Sequence, residues 1–210
     1  MLSIPELSYS EARSKIRSGD ILLASGNFMF SKLIKFATRS EWSHVAFILK
    51  NVKVGEEHRF FVYESVETKG VRMFPLSGYA YDYEGAQKGY NGRLLIARHD
   101  DIDSEKIDHM HSKAVNKAIS MIGYPYDNIE IAKIAGRLIA RRFGIGSRGE
   151  QKDNGVDICA EYGDRFLKGM DISINRKDES FITPDDFYTD PKIKPICFII
   201  PQTVKESPYN

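Results

Sequence analysis

Two cysteines and five histidines are the side chains of this chain best suited to nucleophilic or acid–base chemistry. Cys159 lies in Asp157-Ile158-Cys159-Ala160-Glu161-Tyr162. Upstream, Asp153-Asn154-Gly155 reads as a turn. Downstream, Ala160 to Met170 alternates apolar and charged residues at helical spacing, with Tyr162, Phe166 and Leu167 on one side. The pattern predicts Cys159 in the first turn of a helix, where unpaired N–H groups and the positive dipole end favour a thiolate. The same place also suits a cysteine that is only a small core residue. Cys197 sits in the apolar run Ile196-Cys197-Phe198-Ile199-Ile200, which predicts a buried, inert thiol with no disulfide to Cys159.

His44 opens the apolar stretch Ser43-His44-Val45-Ala46-Phe47-Ile48, and Glu64 lies in Phe61-Val62-Tyr63-Glu64-Ser65-Val66. A hairpin centred at residue 54 sets these two side chains directly opposite on one face of a sheet. Opposed Cβ atoms are then about 5 Å apart. A carboxylate there accepts a proton from one imidazole nitrogen and fixes the tautomer. A slip of one residue puts Tyr63 or Ser65 in its place. A surface ion pair at the sheet end is the competing reading. His58, His99, His109 and His111 have no such partner in the pattern. There is no His-Glu-x-x-His and no Cys-x-x-Cys, so neither a metal site nor a cofactor is expected.

These residues need elements to hold them. Ser8 to Ile16 reads as a short helix, Ile21 to Ala24 as a buried strand, and Phe30 to Ala37 as a helix. Ser43 to Leu49 is apolar on both faces, hence a central strand. Asn51 to His58 reads as a polar loop, Phe60 to Val66 as the return strand and Gly70 to Phe74 as a third strand. Gly78 to Gly92, with Tyr79, Tyr81, Tyr83 and Tyr90, reads as a loop or flap. Arg93 to Arg98 is another strand, Ser104 caps a helix reaching Ile122, and Asn128 to Phe143 is a second amphipathic helix. Thr183-Pro184-Asp185-Asp186 starts a short helix, and Ile196 to Ile200 is the last strand. Strands precede Ser104 and helices follow it, which gives an α+β class in one domain over 1–210, with 78–92 and 128–155 as insertions or flaps around a cleft.

The net charge of +1 gives no reason to expect nucleic-acid binding or general attraction to anionic membranes. No apolar run approaches the roughly 20 residues that span a bilayer. The start, Met1-Leu2-Ser3-Ile4-Pro5-Glu6, lacks the basic and apolar regions of a signal peptide, so a cytoplasmic location with reduced thiols is expected.

Several of these stretches together resemble the NlpC-type papain-like hydrolases in rotated order. Gly19-Asp20-Ile21-Leu22 comes first, then Ser43 to Ile48, then Val62-Tyr63-Glu64-Ser65, then Lys69-Gly70-Val71-Arg72 with Pro75-Leu76. Gly123-Tyr124-Pro125-Tyr126-Asp127 and Ile158-Cys159-Ala160-Glu161 follow. Histidine before cysteine is similar to the circularly permuted branch, which holds the YiiX/YaeF-type amidases and the lecithin–retinol acyltransferase relatives. Thr183-Pro184-Asp185-Asp186 is also YiiX-like. The likeness covers roughly Gly19 to Phe187. It implies a permuted papain-like fold, an antiparallel sheet packed against helices with the cysteine at a helix N-terminus. It also implies Cys159 as nucleophile, His44 as base and Glu64 as orienting group. Ile158, Ala160-Glu161 and Glu64 depart from residues common in non-permuted members, which bears on substrate class.

The expected reaction is amide hydrolysis in a small peptide, isopeptide or acyl-amide through a thioester. Tyr124, Tyr126 and Trp42 are the substrate-binding candidates. Lys133, Arg137 and Arg141, four residues apart, form a basic helix face. That face would hold an anionic group of the substrate. Two competitors remain: a lipid-directed acyltransferase or thioesterase with the same residues, for which the basic face would meet a membrane, and a binding module without turnover.

Overall fold

The computed structural model describes residues 3–54, 57–67, 69–102, 116, 119–125, 136, 140, 159–177 and 182–204. Among these residues, seven strands form one sheet: β1 (Glu6–Leu7), β2 (Ile21–Gly26), β3 (His44–Val54), β4 (Glu57–Val66), β5 (Gly70–Pro75), β6 (Gly92–His99) and β7 (Ile193–Ile199). Their order across the sheet is β1-β7-β6-β2-β3-β4-β5. All neighbours run antiparallel except β1 and β7. Among the described residues, the helices with defined bounds are α1 (Tyr9–Ala12), α2 (Met29–Thr38), α3 (Leu76–Tyr81), α4 (Cys159–Lys168) and α5 (Pro184–Thr189), with a 3₁₀ turn at Tyr83–Gly85. The α+β expectation and the helix start at Cys159 both hold.

The central strands are apolar on both faces because both faces are covered. Leu22, Ala46, Ile48, Val62 and Ile96 pack with Tyr9, Ala12, Leu76 and Tyr79 on one face. Leu23, Val45, Phe47, Tyr63 and Leu95 pack with Ala160, Tyr162, Phe166, Leu167 and Phe187 on the other. α4 lies close against this second face: the Phe166 ring centroid is 4.4 Å from that of Phe47. Gly163 permits the approach, since a Cβ there would stand 3.0 Å from Phe47 and 3.1 Å from Phe187. α5 starts as its sequence dictates, with Thr183 and Asp186 capping one another and Pro184 in the first turn.

Three expectations are corrected. β3 and β4 run through most of the polar stretch 51–58, so the turn is shorter than its composition suggested. The register pairs Phe47 with Tyr63 and Ile48 with Val62, and it shifts between Lys50 and Val52. Continued to the start of β3, this register sets Glu64 two residues away from direct opposition to His44, diagonal to it but on the same face. Gly78 to Gly92 is not a loop throughout: Leu76–Tyr81 is helical, and Tyr79, Tyr81 and Tyr90 are buried. β1 was not foreseen, because a two-residue strand exists only through its pairing with β7. The helices expected over 104–122 and 128–143 fall largely outside the described residues, as does the 128–155 segment apart from 136 and 140.

Candidate active site

β3 begins at His44, between β2 and β4 in the middle of the sheet. Ser43 fixes this entry: its hydroxyl donates to the Ala24 carbonyl at 3.2 Å and accepts from the Gly26 amide at 3.1 Å. Alternation along β3 and β4 then turns His44 and Glu64 to the same face. The diagonal offset is bridged by the length of the two side chains. His44 Nε2 lies 2.8 Å from Glu64 Oε2. Glu64 is completely buried, while the His44 side chain keeps 12% exposure.

Cys159 is the first residue of α4 and is buried. Packing of Phe166 on Phe47 carries this helix start to the end of the sheet where β3 begins. There the Cys159 side chain is hydrogen-bonded to the His44 ring. Burial alone would push the His44 imidazole down, but hydrogen bonds and charge from Cys159 and Glu64 outweigh it and push it up to about 10. Burial likewise works to raise the Glu64 carboxyl, yet His44, Arg72 and Tyr79 together hold it below the usual carboxylate range.

Two further residues reach Glu64, although neither was expected to serve the site. Arg72 Nε donates to Glu64 Oε1 at 2.9 Å, and the Tyr79 hydroxyl donates to Glu64 Oε2 at 2.5 Å. Arg72 is also paired with Glu84. Tyr79, Tyr83 and Tyr90 pack together, with ring centroids 4.8 to 5.3 Å apart. The Arg72 contact was readable in principle, since a tight turn before Gly70 pairs Glu64 with Arg72 across β4 and β5. Tyr79 carried no such signal, because its segment has loop-like composition.

The remaining candidates separate. Trp42 is a core side chain rather than a cleft wall: it is 1% exposed, with its ring 5.4 Å from Tyr188 and 6.5 Å from Phe198. Tyr124 is 46% exposed, and its carbonyl accepts from the Val71 amide at 2.9 Å. Gly70 permits that contact, having φ +71° and standing where a Cβ would come 2.1 Å from the Tyr124 oxygen. The Gly123-Tyr124 stretch therefore docks on β5, the strand that carries Arg72. Tyr126, Lys133, Arg137 and Arg141 lie outside the described residues. Cys197 is buried in β7, and burial pushes its thiol up to about 11. Among the described residues, no group of three or more His, Cys, Asp or Glu side chains could hold a metal ion. No described helix is long and apolar enough to cross a membrane.

A cysteine, a histidine and a glutamate joined in series, with the cysteine on a helix start and the other two on a sheet, is the arrangement of a papain-like hydrolase. Residues 15–135 match the family described as "permuted papain-like amidase enzyme, YaeF/YiiX, C92 family". The chain belongs to this family and is a papain-like cysteine amidase in class. The matched segment contains His44 and Glu64 and ends before Cys159. Both cysteines of the chain lie beyond it, and the one that meets His44 is Cys159. Among solved structures, the chain is similar to the crystal structure of metalloprotein yiiX from Escherichia coli O157:H7, at 19% identity and a TM-score of 0.49. That likeness covers 86% of this chain and 96% of the other. A comparison with curated proteins gave no match.

Proposed function

We propose that the chain hydrolyses an amide bond in a small peptide or isopeptide, with Cys159 as nucleophile, His44 as general base and acid, and Glu64 as the group that orients His44. The observation that carries this reading is the hydrogen-bonded series Cys159–His44–Glu64. Glu64 occupies Nε2, which leaves Nδ1 for the sulfur. The Cys159 thiolate, paired with the His44 imidazolium, attacks the carbonyl carbon. His44 returns a proton to the leaving amine, and water, deprotonated by His44, opens the thioester. The Cys159 amide at the start of α4 is one donor to the oxyanion. The burial of Cys159, only 2% exposed, supports a small substrate.

A second reading, acyl transfer or thioester hydrolysis on a lipid with the same three residues, is favoured by one observation. Phe28, Met29 and Phe36 on and beside α2 are 47%, 78% and 61% exposed. Phe28 reaches the tyrosine cluster, 6.0 Å from Tyr90 between ring centroids.

The test is a panel of short aminoacyl and isopeptide amides beside fatty-acyl esters and thioesters, each with the wild-type chain and Cys159→Ala. Amide cleavage lost in a folded Cys159→Ala protein supports the first reading. Turnover of acyl lipids alone supports the second. Full activity in Cys159→Ala refutes both.

A further inference from the structure

A carboxylate that only orients a histidine needs one hydrogen bond, yet Glu64 makes three. His44 Nε2 and the Tyr79 hydroxyl meet Oε2 at 2.8 Å and 2.5 Å, and Arg72 Nε meets Oε1 at 2.9 Å. Both oxygens are therefore fixed, and the carboxylate cannot turn away from the imidazole. The two added donors are held in their turn. Arg72 stands opposite Glu64 in the β4–β5 register, lies 4.6 Å above the Phe74 ring, and pairs with Glu84 on its outer side. Glu84 has φ +59°, a left-handed conformation that side chains other than glycine seldom adopt. Tyr79 is 1% exposed, and Tyr83 is hydrogen-bonded to it.

We propose that Arg72 and Tyr79 are positioning residues, which hold the Glu64 carboxylate on His44 Nε2 and so keep the imidazole turned toward Cys159. This rests on the reading that Cys159 and His44 form the reacting pair. Charge supports it. A thiolate, an imidazolium and a carboxylate set together carry one net negative charge, and the Arg72 guanidinium, shared with the part-exposed Glu84, offsets it beside the buried carboxylate. Without Arg72 a fully buried carboxylate moves back toward its neutral form. A protonated Glu64 no longer stabilises the imidazolium.

The titratable and charged groups around Glu64 come from every neighbouring element. They are His44 from β3, Arg72 from β5, Tyr79 from α3, Tyr83 from the 3₁₀ turn, Tyr90 before β6 and Cys159 from α4, with Glu84 acting through Arg72. Burial pushes all three tyrosines up, so they stay neutral across the acid range. Loss of Arg72 raises the carboxyl of Glu64 and so weakens its hold on the His44 imidazolium. The acid edge, the pH below which Cys159 stops reacting with an alkylating reagent, then moves up.

The test is the rate of Cys159 alkylation by iodoacetamide from pH 4 to 9 in the full chain, read at the peptide level, with circular dichroism as the check of folding. The variants are Arg72→Met, Arg72→Lys and Tyr79→Phe. Arg72→Met moves the acid edge up by about one pH unit or more, as loss of an adjacent opposite charge does. Arg72→Lys recovers most of the shift. Tyr79→Phe lowers the rate with a smaller shift of the edge. If Arg72→Met fails to fold, the two conservative variants decide: the slower rate with a displaced edge in Tyr79→Phe, and the small residual shift in Arg72→Lys, sustain the proposal. A wild-type protein that labels at Cys159, with folded variants that keep its edge and rate, overturns the positioning role alone. A wild-type Cys159 that does not label overturns the reacting pair, and this proposal with it.

Discussion

Glu64→Gln changes one atom type and almost no volume, yet it cannot satisfy the contacts that Glu64 makes. The carboxylate accepts from three donors, His44 and Tyr79 on Oε2 and Arg72 on Oε1. An amide has one accepting oxygen and one donating nitrogen. With the oxygen toward Arg72, the amide N–H faces His44 Nε2 and forces the proton onto Nδ1, the wrong tautomer for a base beside Cys159. With the oxygen toward His44, the amide N–H faces the guanidinium. The direct attraction of opposite charges at the 2.8 Å His44–Glu64 distance is about 6 kcal/mol at an effective dielectric constant of about 20. Arg72 shares that carboxylate, at 2.9 Å from Nη2 to Oε1, so the net loss is smaller. Hydrogen bonds to charged groups contribute about 1.5–3 kcal/mol, which sets the expected fall in kcat at about 10–150-fold. Steady-state hydrolysis of the best amide in the panel, with pH held at 7, measures it. A folded Glu64→Gln protein with wild-type kcat would refute the assignment of Glu64 as orienting group.

Other outcomes follow from the same contacts. Cys197 should resist iodoacetamide up to pH 9 in the native protein and react at once in denaturant, because burial pushes its thiol up to about 11; peptide mapping after labelling checks this. Gly163→Ala should lower stability by about 1–2 kcal/mol in urea unfolding, since overpacking against Phe47 and Phe187 at 3.0 and 3.1 Å exceeds the helix-propensity gain of up to about 1 kcal/mol. The His44–Glu64 pair gives a stability window with two edges. The contribution of His44, whose imidazole is raised, is complete below about pH 6.5 and is lost as pH rises to about 10. The contribution of Glu64, whose carboxyl is lowered, is present above its unfolded value near 4.5 and is lost as pH falls below that. Thermal melts of wild type and His44→Ala between pH 4 and 10 should converge at the alkaline end.

The reach of the sequence differs from one residue to the next. Alternation along two apolar strands was enough to place His44 and Glu64 on one face, because parity survives a shift of two residues. The register itself was not legible. It depends on β3 and β4 running through the polar stretch 51–58 and on the irregularity between Lys50 and Val52, both set by tertiary pairing. The start of α4 at Cys159 was legible because helical spacing resumes there. Trp42 was a substrate-binding candidate and lies two residues from His44, yet residues 42 and 44 do not share a role. Trp42 packs with Phe198 on the α4 side of the sheet, whereas Glu64 meets Tyr79 from the side of α3. The tyrosines of 78–92 were misread because Tyr and Gly are common in loops. Here their rings form a packed cluster and one hydroxyl serves Glu64.

The central claim is that Cys159 reacts as a thiolate because His44 stands beside it. Brief exposure of the native chain to iodoacetamide at pH 6, followed by peptide-level mass spectrometry, tests it directly. The account predicts rapid labelling of Cys159, none of Cys197, and loss of the Cys159 label in His44→Ala. Equal labelling of the two cysteines, or a Cys159 that reacts as fast without His44, would contradict it.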